Sequence, residues 1–147
     1  MQEPSLIESA LLLKKTALFS REELDFLLCL AEKIEYQWFE KGKHVFQITQ
    51  KASLFFIVAK GQIAIKDERG YPLGTVGEQD FFGEESLIHG QARTYTAQCK
   101  TDCLLLTLTQ AQLLAVIEES SSVAMELLRC YAEVTVFRNR EGTSFLS

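Results

Sequence analysis

The sequence has few of the histidines and cysteines that build zinc sites, and no apolar run long enough to cross a membrane. It contains two histidines and four cysteines, and the cysteines show no C-x-x-C spacing. We therefore expect buried thiols in a reducing cytoplasm and no metal site; the cysteines are Cys29, Cys99, Cys103 and Cys130. No apolar run approaches the roughly 18 residues of a membrane span.

Excess positive charge is also missing, because the net charge is −5. No global field attracts nucleic acid or anionic lipid, so direct nucleic-acid binding is not predicted and any bound anion must be captured locally. Lys14 and Lys15 follow the N-terminal apolar stretch instead of preceding it, which argues against a secretory signal. Gly-x-Ser-x-Gly, zinc and Walker motifs are absent, so we do not predict an enzyme.

Helical patterns occupy the two ends of the chain. Ser20 is predicted as an N-cap with Glu23 at the capping-box position, which places a helix over residues 20–33. Thr109 is predicted to cap a helix that ends near Glu119, and a second helix follows the Ser120-Ser121-Ser122 break. We expect an extension over residues 1–15, a domain over 16–140 whose C-terminal helices occupy 109–140, and a tail over 141–147.

Between these ends, residues 36–108 carry short apolar and β-branched runs separated by glycines. Strands are predicted at residues 54–59, 62–66, 93–99 and 103–108, with a polar turn over residues 67–70. Closely spaced short strands of this kind indicate a sandwich, jelly roll or barrel. The predicted fold class is therefore mostly β with flanking helices.

The segment from Phe81 to Ala97 is the most informative. Gly83 is predicted to open a short helical turn over residues 84–88, whose free N–H groups attract an anion. Arg93, at the start of the predicted strand, can fold back over the same anion, because its planar fork suits phosphate oxygens. Glu84, which can only accept hydrogen bonds when ionised, suits a ribose hydroxyl. We expect His89 to be a loop residue.

The pattern Phe-Gly-Glu-x-Ser-Leu-Ile-x-Gly-x-x-Arg-Thr-x-Thr-Ala resembles the phosphate-binding cassette of the cyclic-nucleotide-binding family. Leu18-Phe19 and the run Phe55-Phe-Ile-Val-Ala-Lys-Gly61 are also similar to that family, and the likeness spans roughly residues 16–140. It implies a double-stranded β-helix, or jelly-roll β-roll, with an N-terminal helix and two C-terminal helices.

The resemblance also implies site residues and a ligand, cAMP or cGMP, with no further cofactor. Gly83 and the amides of Glu85 and Ser86 would meet the cyclic phosphate, Glu84 the ribose 2′-hydroxyl, and Arg93 the phosphate. Thr94 would touch the phosphate or a guanine amino group. The last helix would cover the base and serve as the docking site of an effector or a second copy. The candidate lid residues are Tyr131, Val134 and Phe137.

Three positions depart from the family pattern. Glu85 replaces an apolar or small residue, and we expect it to face solvent because adjacent helical residues point about 100° apart. Tyr95 replaces an inward-facing alanine and either occupies the purine space or is balanced by Ala97. The loop Thr49-Gln50-Lys51 lacks a usual Gly-Asp turn and is expected to be remote from the cassette.

Two functions remain open on this basis. The first is a sensor domain that binds cAMP or cGMP and signals through its C-terminal helix. The second is a protein-interaction or dimerisation module with the same fold and a degenerate pocket, marked by Glu85 and Tyr95. The sequence is not expected to hold a helix-turn-helix domain after the last helix, so action on DNA would require a partner.

Overall fold

Helices flank a β-rich middle in the computed structural model, which describes residues 3–133. The N-terminal part holds helix α1 (Leu6–Lys15), a 3-10 turn (Ala17–Phe19) and helix α2 (Leu24–Lys33). The middle contains β1 (Glu35–Phe39), β2 (His44–Phe46), β3 (Leu54–Lys60), β4 (Ile63–Lys66), β5 (Pro72–Val76), β6 (Phe81–Phe82), helix α3 (Glu84–His89), β7 (Thr96–Cys99) and β8 (Cys103–Thr109). Helices α4 (Gln110–Glu119) and α5 (Ser121–Ala132) follow.

The strands form two four-stranded antiparallel sheets, in the orders β1-β8-β3-β6 and β2-β7-β4-β5. Strands distant in sequence are neighbours in both sheets, as in a jelly roll. This arrangement, with helices at both ends, confirms the predicted fold class.

Strands β3 and β8 separate two apolar cores. Successive side chains of a strand point to opposite faces, so alternate residues enter different cores. Phe55 and Ile57 pack with the helices, whereas Phe56 and Val58 pack inside the β-roll. In β8 the helix-facing residues are Leu104, Leu106 and Leu108, and the roll-facing residues are Cys103 and Leu105. Burial on both faces explains why these strands read as continuous apolar runs.

The helices cover one face of the first sheet with a shared apolar core. Ala10 and Leu13 of α1 are fully buried, as is Leu27 of α2. Leu113 of α4 and Val123 of α5 complete this core. The C-terminal helices are thus joined to the N-terminal ones through direct packing. Within residues 3–133, no helix has both the length and the apolar character needed to cross a membrane.

The predicted cap at Ser20 is wrong. Helix α2 begins at Leu24 with Glu23 at the N-cap, and no side chain caps it. Ser20 instead ends the preceding 3-10 turn, where its hydroxyl donates to the Ala17 carbonyl at 3.1 Å. A serine hydroxyl serves equally well in such a local turn, and this competing use shortens the helix.

The predicted cap at Thr109 is confirmed. The hydroxyl of Thr109 accepts from the Gln112 N–H at 3.2 Å, while the Gln112 side chain accepts from the Thr109 N–H at 2.9 Å. Ser120 then caps α5 by accepting from the Val123 N–H at 3.2 Å. The predicted helical positions Val134 and Phe137 lie outside the described residues.

All four cysteines are free thiols, but burial was predicted correctly only for two. Cys99 and Cys103 are buried between β4, β7 and β8, and burial, with a smaller contribution from Cys103, raises the pKa of Cys99 to about 12. Cys29 is exposed and Cys130 is half-buried. Both lie on outer helices, where one face contacts solvent.

Candidate functional site

Gly83 opens α3 as predicted, directly after the short strand β6. Its φ of +86° lies in the left-handed region that favours glycine. A Cβ at this position would lie 3.0 Å from Arg93 Nη1 and 3.3 Å from Phe56 Cδ2. Both the backbone conformation and the closeness of Arg93 therefore favour glycine here.

Arg93 folds back onto Gly83 from the other end of the segment. Its Nη1 donates to the Gly83 carbonyl at 2.7 Å and its Nη2 to the Leu54 carbonyl at 2.6 Å. The guanidinium lies 4.0 Å above the Phe46 ring centroid, a cation–π contact. The side chain is only 4% exposed, and this burial lowers the pKa of Arg93.

The loop that precedes β3 contributes directly to this arrangement. The Arg93 N–H donates to the Gln50 carbonyl at 2.9 Å, and the Thr49 N–H donates to the Arg93 carbonyl at 2.8 Å. The expectation that this loop is remote from the cassette is therefore wrong. The predicted strand start at Arg93 is wrong as well, since β7 begins at Thr96. Arg93 instead pairs with the loop and lies outside strand β7.

Glu85 points into the protein, contrary to the expectation that it faces solvent. It is 5% exposed, and its Oε1 accepts a hydrogen bond from the Tyr95 hydroxyl at 2.5 Å. Adjacent residues of α3 do point in different directions, but the helix is embedded, so both directions meet protein. A buried carboxylate requires a hydrogen-bond donor, and Tyr95 supplies one.

Tyr95 fills part of the β-roll interior, which resolves the position that the sequence left open. Its ring is 1% exposed and lies 5.4 Å from the Phe46 ring, centroid to centroid. Its hydroxyl also accepts from the Gly83 N–H at 2.9 Å. Burial, and then the charges of Glu85 and Glu84, hold the pKa of Tyr95 well above 10.0. The phenol is therefore protonated and bridges Gly83 and Glu85.

Glu84 faces the C-terminal helices. It is fully buried, and its Oε2 accepts a hydrogen bond from the Tyr131 hydroxyl at 2.7 Å. Tyr131 lies on α5, so one of the three predicted lid residues contacts the cassette. This contact joins the last described helix to the carboxylate that the resemblance assigns to the ribose.

The other predicted site residues lie around the same turn. Ser86 is 2% exposed and donates to the Ala92 carbonyl at 3.4 Å. Thr94 is half-buried between Arg93 and Tyr95. His89 is the exposed last residue of α3, and its Nδ1 accepts from the Gln91 N–H at 3.1 Å.

Sequence reasoning missed the aromatic cluster beside the cassette. Phe46 contacts Phe56, Phe82, Tyr95 and the Arg93 guanidinium. The rings of Phe56 and Phe82 are stacked, with centroids 5.2 Å apart. These phenylalanines occur in strands that are far apart in sequence. Strand geometry places Phe56 on the face opposite to Phe55 and Ile57. No local pattern, however, marks Phe46 as a neighbour of Arg93.

Three solved structures illustrate the likeness of the fold. The regulatory subunit of a cAMP-independent protein kinase A from Trypanosoma brucei matches with a TM-score of 0.80 and 17% identity, over 94% of this chain and 51% of that chain. The Trypanosoma cruzi counterpart, bound to guanosine, matches with a TM-score of 0.79 and 14% identity, over 94% of this chain and 50% of that chain. The chain thus spans about half the length of both subunits.

A bacterial sensor domain is similar to the chain over almost its whole length. The sensor domain of the transcriptional regulator DNR from Pseudomonas aeruginosa has a TM-score of 0.74 and 21% identity, over 84% of this chain and 90% of that domain. At these identities, structural likeness establishes the fold alone. The family assignment comes from the model of the cyclic nucleotide-binding domain, which matches residues 36–120, more than half of the sequence. The chain therefore belongs to the cyclic nucleotide-binding domain family.

Proposed function

We propose that this chain is a non-catalytic regulatory domain that binds a ribose-containing purine ligand at the cassette and transmits its occupancy through α5. The family's ligand class, cAMP or cGMP, defines the first compounds to test. The observation that carries the proposal is the hydrogen bond from Tyr131 on α5 to Glu84 in the cassette. We also propose that the domain works in the cytoplasm, which its four free thiols support.

The coupling mechanism follows from the chemistry of Glu84. An ionised carboxylate accepts hydrogen bonds only, so the Tyr131 phenol and a ribose 2′-hydroxyl are donors to the same group. A ligand that engages Glu84 shifts or replaces the Tyr131 contact and so changes how α5 is held. The ligand shifts the position of α5 only by its difference in affinity for the two arrangements.

Arg93 and its neighbours supply the rest of the proposed site. The guanidinium is already buried beside Gly83, at the position proposed for an anion. The Nε–H of Arg93 is buried without a hydrogen-bond partner within residues 3–133 and is the first donor proposed for a phosphate, whereas contact with the terminal nitrogens competes with the carbonyls of Gly83 and Leu54. Gly83, Ser86 and the amide of Glu85 are the proposed phosphate contacts, and Thr94 is proposed to contact the phosphate or the base.

The decisive experiment compares ribose ligands with their 2′-deoxy counterparts. Calorimetry with cAMP and cGMP, and with adenosine and guanosine, would measure affinity, and the 2′-deoxy form of each would serve as the control. We expect the ribose form to bind more tightly by roughly tenfold, the worth of one good hydrogen bond to a charged group. Hydrogen exchange should change at α5 on ligand addition and stay constant at α1. Absence of binding across the whole panel would overturn the proposal.

A second candidate is a protein-interaction or dimerisation module, and the network of Gly83, Tyr95 and Glu85 favours it. These groups form hydrogen bonds with one another without a ligand. Helix α5 exposes Met125 and Leu128, at 48% and 63%, as a surface for an effector or a second copy. Light scattering across a concentration series, with and without Leu128→Glu, would test it. A monomer at every concentration, unchanged by the substitution, would contradict dimerisation.

A further inference from the structure

Glu85 lies where an incoming phosphate would be met by an existing negative charge. Its Oε1 is separated from the Gly83 N–H by one hydroxyl group, that of Tyr95. Gly83 is the position at which the cassette turn begins and where a bound anion is expected. The protein thus places a carboxylate of its own, through a bridging phenol, next to the backbone donor of the turn.

The same network engages several of the donors that a phosphate would use, although the buried Arg93 Nε–H has no hydrogen-bond partner in the part of the chain that the structure describes. The Gly83 N–H donates to Tyr95, and the two terminal nitrogens of Arg93 donate to the Gly83 and Leu54 carbonyls. Among residues 3–133, the charged groups in this turn and its arginine partner are two carboxylates, Glu84 and Glu85, and one guanidinium. A ligand phosphate would therefore add a negative charge close to Glu85, and its contact with the Gly83 N–H would break the hydrogen bond to Tyr95.

An uncharged nucleoside meets neither obstacle. Its ribose can still offer a hydroxyl to Glu84, and it brings no charge towards Glu85. From this geometry we infer that Glu85 and Tyr95 are specificity-determining residues that make the site favour uncharged nucleosides over the matching cyclic monophosphates. The inference rests on the proposed function, because it names the ligand class of the same site.

The test measures a ratio of affinities. Calorimetry on the full chain would compare adenosine with cAMP and guanosine with cGMP, in wild type and in Glu85→Gln. We expect the nucleoside to bind more tightly in wild type, and Glu85→Gln to improve the relative affinity for the cyclic monophosphate by at least roughly tenfold, since it removes a like charge at short range. Glu78→Gln, an exposed carboxylate with the same change of net charge, is the matched control and should leave the ratio unchanged.

A second variant tests the same inference independently, in case Glu85→Gln does not fold correctly. Tyr95→Phe keeps the ring in the roll but removes the bridge between Glu85 and the Gly83 N–H, so it should also shift the ratio towards the cyclic monophosphate. Thermal melting would establish that each variant is folded. If cAMP and cGMP outbind their nucleosides in wild type, or if folded variants keep the wild-type ratio, the inference fails while the proposed function stands. If no compound binds any folded protein, the proposed function fails and the inference falls with it.

Discussion

The phenol of Tyr131 donates a hydrogen bond to Glu84 across 47 residues of sequence, with 2.7 Å between Oη and Oε2. One partner begins the cassette helix α3 and the other lies in the last turn of α5. The carboxylate is fully buried, so the contact is shielded from water. The hydrogen bond therefore links α5 directly to the cassette.

Tyr131→Phe should weaken the attachment of α5 to the cassette without altering the packing of the helix, because only the hydroxyl is lost. We expect the free energy of unfolding to fall by about 1.5–3 kcal/mol, as for a hydrogen bond to a charged group. Urea denaturation measures the loss, and hydrogen exchange should rise in the last turn of α5. Tyr71→Phe makes the same chemical change at a 62% exposed residue and should have almost no effect. Equal losses in both variants would contradict the contact.

Gly83→Ala should destabilise the protein for two reasons, and a control variant can separate them. The new Cβ would be only 3.0 Å from Arg93 Nη1, and the residue must also keep a φ of +86°. Gly70→Ala is the matched control, because its φ is +83° but nothing lies within 4 Å of its Cβ. We expect about 1 kcal/mol from the backbone alone at Gly70 and about 2–4 kcal/mol at Gly83. Thermal or urea unfolding of both variants measures the difference, and similar values would show that Arg93 moves aside freely.

Arg93→Lys keeps the positive charge but cannot bridge two carbonyls with a planar fork. The carbonyls of Gly83 and Leu54 then lose their charged donors, and the stacking on Phe46 is weakened. We expect a loss of about 2–3 kcal/mol in the free energy of unfolding. Arg69→Lys, in the exposed turn before β5, serves as the control and should be neutral. If Arg93→Lys kept the wild-type free energy of unfolding, positive charge alone would explain the contribution of Arg93 to stability.

Alkaline pH should destabilise the protein through Tyr95. Its pKa is raised by burial above the ordinary 10.0, so the folded state keeps a proton that the unfolded chain releases. The contribution is complete below pH 10 and declines above it, by up to about 1.4 kcal/mol per pH unit. Tyr95→Phe should therefore lose stability less steeply than wild type between about pH 10 and 12. Cys99 and Tyr36, whose pKa values are also raised, contribute equally to both proteins. Parallel slopes in urea unfolding would contradict this assignment.

The sequence by itself determined the features that depend on neighbours a few residues away. Continuous apolar runs in β3 and β8 predicted strands, and Thr109 predicted the cap of α4. Gly83 predicted the cassette turn, because a left-handed residue before a short helix is a local requirement. The family resemblance rests on the same local spacing, and the match over residues 36–120 confirms it.

Only the tertiary structure decided what fills the cassette. Helical geometry determines the angle between Glu84 and Glu85, but it does not specify whether solvent or protein lies in each direction. Packing brings Tyr95 to Glu85, Tyr131 to Glu84 and the loop at Gln50 to Arg93. These contacts join segments that only the closure of two sheets and the docking of α5 bring together. Local pattern therefore predicts where the site lies, whereas long-range packing determines which groups occupy it.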